Sequence, residues 1–224
     1  MLEKLILGGP MMIPLLICSI ATLGACIDRG IAFYKNSKVD HRALHSEILT
    51  LLSEGRLDDA ITLAASTPGP VAAVLLVGLQ SYRKLATRRE DANSLRTLVG
   101  KAMDDYTLHA MSSVQKRFSI LATVGNASPL FGMAGTVLGM INSFAAMQAH
   151  GMDASKVAGG ISEALITTAA GLLIALVAVI PLNYFTSLTE DIELDIEDSA
   201  SNLVEYIALQ ASASKDTTTQ PPQS

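Results

Sequence analysis

The sequence contains no tryptophan, only two cysteines and few charged residues. Asp, Glu, Lys and Arg make up 17% of the 224 residues, against about a quarter in a typical soluble protein. Cys18 and Cys26 lie in one apolar run, and on a helix roughly 12 Å of axis would separate them, which is too far for a disulfide. The net charge of −5 disfavours a nucleic-acid-binding protein, which needs a basic surface.

The missing charges are concentrated in three windows, residues 5–27, 118–149 and 164–189. Each window is long enough for a transmembrane helix, which needs about 20 apolar residues. The apolar run 71–79 is too short and predicts the buried face of a soluble helix instead. No strand pattern stands out. The sequence therefore predicts an all-α integral membrane protein rather than a soluble enzyme, with three transmembrane helices and long helices that extend into a cytoplasmic helical domain.

The first window has an alternative interpretation as a cleaved signal peptide. Residues 23–26, Leu-Gly-Ala-Cys, resemble a lipoprotein processing box. Against this, Glu3 cancels the charge of Lys4, and the apolar run is long for a signal peptide. We therefore interpret this window as a membrane anchor.

The distribution of Lys and Arg predicts the orientation. Thirteen of the sixteen basic residues fall within residues 28–117, and basic segments remain on the cytoplasmic side. Aromatic residues favour the headgroup zone, and five of them would lie at the cytoplasmic interface: Phe33, Tyr34, Phe118, Tyr184 and Phe185. The N-terminus is predicted outside and the C-terminus inside.

These observations divide the chain into seven predicted segments. Residues 1–27 form an N-terminal segment with the first transmembrane helix, and residues 28–117 form the cytoplasmic helical domain, in which 71–117 is one long helix, or two, continuing into the second span. Residues 118–149 form the second transmembrane helix, 150–160 an external loop, and 161–189 the third transmembrane helix. Residues 190–211 continue as a cytoplasmic helix, and 212–224 form a disordered tail.

Small and polar residues recur at helical spacing along spans two and three. Such stripes allow two helices to pack closely in lipid, or they line an aqueous ion pathway through their hydroxyl and amide groups. The spacing alone leaves both interpretations open, because a hydroxyl can also bond a carbonyl of its own helix. In span two the stripe is Ser128, Gly132, Gly135, Gly139, Asn142, Ser143 and Ala146, with Thr136 beside it; in span three it is Ala164, Thr168, Gly171, Ala175 and Ala178, with Thr167 beside it.

Glu163 directly precedes the third window, on its outer side. It either caps the N-terminus of the third helix, where the helix dipole favours negative charge, or guards the outer mouth of an aqueous cavity. No Asp, Glu, Lys, Arg or His lies deep within a span. A proton pathway usually needs a titratable relay, so a partner would have to supply it. Pro129 lies inside the second span and predicts a kink.

The remaining chemistry is sparse. His41 and His45 have the spacing of a metal-binding pair, but no third ligand follows, so we predict neither a metal site nor a cofactor. No nucleotide-binding or nucleophile motif is present in the sequence, and an intramembrane enzyme would lack a nucleophile–base pair. The chain is therefore not expected to be an enzyme.

Residues 124–140, VGNASPLFGMAGTVLGM, and residues 161–172, ISEALITTAAGL, resemble the two signatures of the ExbB/TolQ/MotA proton-channel family. The order of the motifs and the three spans fit its ExbB/TolQ branch better than the four-span flagellar stators. Related sequences carry a proline in the second half of the last span, where this chain has Val177 and then Pro181. That departure leaves the bend of this helix open.

The resemblance implies a homopentamer in the bacterial inner membrane, with the N-terminus periplasmic. The ring surrounds the single spans of two copies of an ExbD/TolR/MotB-like subunit, whose aspartate enters the ring, and ion flow powers work in the cell envelope. Thr136 and Thr168 match the family's pore-facing threonines, Glu163 its acidic residue at the start of the last span, and Pro129 its proline. Thr167 leaves open which hydroxyl faces the pore and whether sodium is used, and the ion pathway is predicted to comprise Thr136, Thr168, Thr167, Glu163, Asn142 and Ser143.

The sequence leaves two alternative functions open. One is a membrane scaffold that does not conduct ions, in which the residues Pro129, Gly132, Gly135, Gly139, Gly171 and Ala175 only pack helices and contact partners. The other is a sodium-driven or motility-related variant of the same family.

Overall fold

The computed structural model describes residues 9–37, 40–86, 92–150 and 154–218. The backbone of these residues forms seven helices and no strand, which confirms the prediction of an all-α protein. Residues 5–8 of the first predicted span and 219–224 of the predicted tail lie outside the described residues. The helices are α1 (Met12–Asn36), α2 (His41–Ser53), α3 (Leu57–Ser66), α4 (Pro70–Ala86), α5 (Ala92–Val114), α6 (Phe118–His150) and α7 (Ala154–Thr218).

Three of these helices are long and apolar enough to cross a membrane, over Met12–Asn36, Phe118–Gln148 and Val157–Ser212. The three predicted spans are thus confirmed. Helix α7 has 65 residues and is roughly 97 Å long at 1.5 Å per residue, whereas a bilayer core is about 30 Å thick. The third span therefore continues as a helix far beyond the length that a membrane requires.

The helix ends differ from the predicted boundaries. Helix α7 begins at Ala154, so most of the predicted loop 150–160 is helical, and residues 151–153 lie outside the described residues. The helical part includes the adjacent glycines Gly159 and Gly160, although each glycine disfavours a helix by about 1 kcal/mol relative to alanine; Gly160 packs closely against α6. At its other end α7 runs to Thr218, past the predicted start of the disordered tail at 212.

The region 71–117 forms two helices, which is one of the two predicted alternatives, but the second does not continue into the second span. Helices α4 and α5 are separate, and α5 ends at Val114 rather than continuing into α6. Arg117 has a φ of +71, a left-handed conformation that interrupts the helix. The sequence has neither glycine nor proline at this break, so its pattern gave no signal there.

One compact unit of the chain comprises residues up to 32 together with 117–186. Helix α1 buries Leu15, Thr22 and Ala25 in this unit. The Asp28 carboxylate accepts hydrogen bonds from Arg29 and Arg117, each 2.6 Å away, and so joins α1 to the beginning of α6. Phe118 directly follows Arg117, and its ring stacks on that of Phe185 with their centroids 6.4 Å apart.

The second compact unit comprises residues 33–116 and those from 187 onward. Its helices bury apolar residues at the predicted helical spacing, and the run 71–79 forms the buried face of α4 as predicted. Asp40 caps α2 by accepting the backbone N–H groups of Arg42 and Ala43. The core residues include Leu44, Ile48, Leu52, Ile61, Val71, Leu75, Leu79, Leu95, Val99, Met103, Ile192, Ile196, Leu203 and Ile207.

Candidate functional site

The small-residue stripes of α6 and α7 face each other within one chain. We call this contact the α6–α7 interface; it extends from Gly125 to Ser143 on α6 and from Gly160 to Val179 on α7. The large apolar residues of both helices point away from it, and Leu130, Val137, Leu165 and Leu172 are each more than half exposed. Glycine inside and leucine outside is the arrangement by which membrane helices approach closely.

The closest backbone approach in the interface is at Gly171. A Cβ atom at this position would lie 2.5 Å from the carbonyl oxygen of Ser128 and 3.1 Å from the Cα atom of Gly132. A Cβ at Gly132 would in turn lie 3.1 Å from the Cα atom of Thr168. Because these neighbours are backbone atoms, they cannot move aside as a flexible side chain could.

Towards the other end of the interface, the contacts involve side chains. A Cβ at Gly135 would lie 2.5 Å from Cγ2 of Thr167, and one at Gly139 would lie 2.8 Å from Cβ of Ala164. Gly160 makes close contact with the hydroxyl of Ser143, which donates to the carbonyl oxygen of Gly139 at 2.8 Å. The sequence interpretation missed Gly160, although it lies one helical turn before Ala164 and extends the same stripe.

The two adjacent threonines of α7 differ in environment. Thr167 is 1% exposed, and its hydroxyl donates to the carbonyl oxygen of Glu163 on its own helix at 3.0 Å. Thr168 is half-buried, and its hydroxyl donates across the interface to the carbonyl oxygen of Gly132 at 2.9 Å. Thr167 is therefore part of the packed interface, whereas Thr168 lies at its edge.

Thr136 also lies at the edge of the α6–α7 interface. It is half-buried and follows Gly132 by one helical turn. Its hydroxyl donates to the carbonyl oxygen of Met133 at 2.7 Å, a bond within its own helix. The hydroxyls of Thr136 and Thr168 are thus both partly accessible in one chain, in contrast to that of Thr167.

The remaining predicted site residues are distributed around this interface. Ser143 is buried and Asn142 is exposed on the neighbouring face of α6, so the structure does not bring these two side chains together. Ala175 is 8% exposed, and Pro129 lies half-buried inside α6. Ser128 is fully buried, and its hydroxyl has no hydrogen-bond partner among the described residues.

Glu163 does not cap its own helix, because α7 begins nine positions earlier at Ala154. Its carboxylate instead lies against Gly9, three residues before α1. Met11, which directly precedes α1, is near α6: a Cβ at Gly135 would lie 3.6 Å from Cβ of Met11. The half-buried Glu163 is thus placed where α1 begins, next to the end of the α6–α7 interface.

The electrostatic character of this region is simple. From Ser128 to Ser143 on α6 and from Ala164 to Ala178 on α7 the sequence carries no charged side chain, so hydroxyl groups, the Asn142 amide and backbone groups are its polar groups. Within the part of the chain that the structure describes, no group of three or more His, Cys, Asp or Glu side chains is placed to hold a metal ion.

The chain has three apolar helices of membrane-crossing length, and two of them pack through glycine faces with hydroxyls at the edge. These features define a multi-pass membrane protein with polar groups at membrane depth. Residues 67–198 match the model of the MotA/TolQ/ExbB proton channel family. The chain belongs to this family, which confirms the resemblance found in its two motifs.

Curated relatives agree with this assignment. The chain is 30% identical over 209 residues to the biopolymer transport protein ExbB of Neisseria meningitidis serogroup A, an alignment covering 88% of this chain and 91% of the relative. It is 29% identical over 195 residues to the biopolymer transport protein ExbB of Salmonella typhimurium, with coverages of 86% and 78%. A proton channel family with biopolymer transport relatives supports a role in energy transduction by the proton motive force.

Proposed function

We propose that this chain is the ring-forming subunit of an inner-membrane complex that uses the proton motive force to power work in the cell envelope. It conducts protons together with a single-span ExbD/TolR-like subunit. Membership of the MotA/TolQ/ExbB family supports the reaction class, and the similarity to ExbB proteins over most of the chain supports the branch.

The observation that carries the pathway proposal is the position of two hydroxyls. Thr136 and Thr168 lie at the edge of the α6–α7 interface, where each is partly exposed. Around them, glycines are buried against the facing helix and leucines point outward. In the assembled ring these hydroxyls would order water next to the carboxylate of the partner, because this region of the chain has no carboxylate of its own.

Burial within one chain supports assigning the pathway to fewer residues than the sequence predicts. The glycines of both stripes are occupied by packing within one chain, so we assign them to helix packing. Thr167 is likewise buried in the interface. We therefore assign the pathway to Thr136 and Thr168, with Glu163 at its periplasmic mouth, and expect Asn142 and Ser143 to contribute only indirectly.

The sequence and the family support the orientation and the assembly that we propose. The concentration of Lys and Arg within residues 28–117 favours a cytoplasmic location for this segment and the C-terminus, with a periplasmic N-terminus. We propose a pentamer around two copies of the partner span. The exposed leucine faces of α6 and α7 are available for neighbouring copies and lipid.

Ion flux in vesicles tests this function. The protein is co-expressed with its single-span partner, reconstituted, and assayed separately for proton and sodium flux, with vesicles lacking the partner as the control. Proton flux that requires both subunits and falls at least about tenfold in Thr168→Val supports the proposal. Equal flux with and without the partner contradicts it, and flux of sodium alone assigns the chain to a sodium-driven variant.

A non-conducting scaffold makes the opposite prediction from the same contacts. In a scaffold the threonine hydroxyls have no role beyond packing, so Thr136→Val would change no activity, while bulky substitutions at Gly171 would still disrupt assembly. The two functions are therefore distinguished by comparing these variants in one flux and cross-linking experiment.

A further inference from the structure

Gly9 and Glu163 come together where α1 begins. Gly9 has a φ of +69, a left-handed conformation that glycine adopts without strain. A Cβ atom at this position would meet the Oε1 atom of Glu163, and would lie 3.1 Å from its Cδ and 3.6 Å from its Cγ atom. The carboxylate therefore occupies the space that any side chain at position 9 would need.

The environment of this carboxylate suits its charge. The carbonyl oxygen of Gly9 accepts the N–H of Met12 at 3.1 Å, so Gly9 begins the turn that leads into α1. The N-terminus of a helix favours negative charge, yet the first turn of α1 has no acidic residue of its own. Glu163, from α7, places a carboxylate at that helix end.

The position of Glu163 is also fixed from α7. The Thr167 hydroxyl, one turn further along, donates to the Glu163 carbonyl oxygen, and Thr167 packs against Gly135 of α6. The backbone of Glu163 is thus set by the α6–α7 interface, while the direction of its side chain depends on the space left open at Gly9.

We propose that Gly9 is a positioning residue for the ion pathway: its missing side chain leaves the space in which the Glu163 carboxylate lies against the first turn of α1. This inference rests on the proposed function, in which Glu163 stands at the periplasmic mouth. Gly9 acts through Glu163 and touches no ion itself.

The first experiment measures proton flux of the reconstituted complex with substitutions at position 9. Gly9→Ala is expected to lower flux at least about tenfold, because the new methyl group displaces the carboxylate. Gly9→Asn is expected to do the same, although asparagine tolerates a left-handed φ, which separates the contact from backbone strain. Gly55→Ala, at a φ of +75 with open space around it, and Gly24→Ala, in α1 with open space, serve as matched controls and should conduct normally.

The second experiment asks whether a shorter acid restores the geometry. Glu163→Asp moves the carboxylate back by one methylene, so the double variant Gly9→Ala/Glu163→Asp should conduct several-fold better than Gly9→Ala alone. A disulfide between Gly9→Cys and Glu163→Cys, with Cys18 and Cys26 replaced by serine, should form on oxidation, because a Cβ at position 9 would lie 3.6 Å from the Cγ atom of Glu163, whose place the Sγ atom of a cysteine would take.

The outcomes distinguish the role of Glu163 in the proposed function from the positioning role of Gly9. If Glu163→Gln conducts normally, the role of Glu163 in the proposed function is wrong. If Glu163→Gln abolishes flux while Gly9→Ala and Gly9→Asn conduct normally, the positioning role of Gly9 is overturned. Loss of flux in Gly9→Ala without rescue by Glu163→Asp and without the disulfide also overturns it, since Gly9 would then serve only the local backbone.

Discussion

The hydroxyl of Thr168 on α7 donates a hydrogen bond to the carbonyl oxygen of Gly132 on α6, 2.9 Å away. Thr168 therefore joins two helices, in addition to the pathway role proposed for it. Thr136 differs, because its hydroxyl bonds the Met133 carbonyl of its own helix. Loss of activity on substituting Thr168 thus needs a separate measure of helix packing, whereas Thr136 can be substituted without removing a bond between helices.

We expect Thr168→Val to lower the stability of the protein and Thr168→Ser to preserve it. Valine has a similar shape but cannot donate, and an intramolecular hydrogen bond contributes about 0.5–1.5 kcal/mol net. Thermal unfolding in detergent, followed by helical circular dichroism, measures the difference. Equal midpoints for the serine and valine variants would show that the bond to Gly132 does not stabilise the pair of helices.

Gly171→Ala is expected to be among the most damaging alanine substitutions in α7. The added Cβ would lie 2.5 Å from a backbone oxygen of α6, and forcing an extra methyl group into a packed site costs about 1–3 kcal/mol. Gly159→Ala is the matched control, since its Cβ meets nothing within 4 Å. If Gly171→Ala and Gly159→Ala had the same unfolding midpoint in detergent, the close packing at Gly171 would be contradicted.

Gly135→Ala should also be destabilising, but a second substitution should partly relieve it. Its Cβ would lie 2.5 Å from Cγ2 of Thr167, and Thr167→Ser removes that methyl group while keeping the hydroxyl that donates to the Glu163 carbonyl. A double-mutant cycle measures the coupling, which is typically about 0.5–3 kcal/mol for residues in contact. Strictly additive effects would place Thr167 away from Gly135.

The sequence was sufficient to predict the three spans and the two small faces, because both follow from periodic patterns. The buried line of Gly132, Gly135 and Gly139 recurs at helical spacing, and the leucines lie on the opposite face as expected. What the pattern could not decide was whether these faces line a cavity or pack together. That depends on the distance between two helices, which the structure shows to be a close contact within one chain.

Other features gave no usable signal in the sequence. The break at Arg117 has no glycine or proline. Arg117 forms an ion pair there with Asp28, which is far away in the chain. The contact between Gly9 and Glu163 likewise joins distant residues. The sequence allowed Glu163 to be a cap of its own helix because the charge-free window begins after it, whereas α7 extends further back to Ala154.

His45 should make stability dependent on pH. Burial lowers the pKa of His45, partly opposed by the charge of Asp198, and its Nε2 atom is buried without a hydrogen-bond partner among the described residues. As the pH falls, the unfolded chain therefore binds a proton at His45 before the folded protein does, at a pKa of about 6.5. Its stabilising contribution is complete above that pH and is lost as the pH falls below it.

The unfolding midpoint measured from about pH 7.5 to about pH 5.5 checks this, since histidine titrates in that interval. His45→Gln should weaken the decrease on acidification, while His109→Gln, at an exposed position of α5, should leave it unchanged. An identical decrease in His45→Gln and the unsubstituted protein would assign the pH dependence to other groups.

The most direct test of the account is proton flux through the reconstituted complex with Thr136→Val and Thr136→Ser. Because the Thr136 hydroxyl bonds only within its own helix, both variants should keep the unfolding midpoint and the cross-linked ring of the unsubstituted protein. The account predicts that valine lowers flux at least about tenfold, equivalent to roughly 1.4 kcal/mol on the barrier, and that serine retains it. Full proton flux in an intact Thr136→Val complex would contradict the proposed pathway.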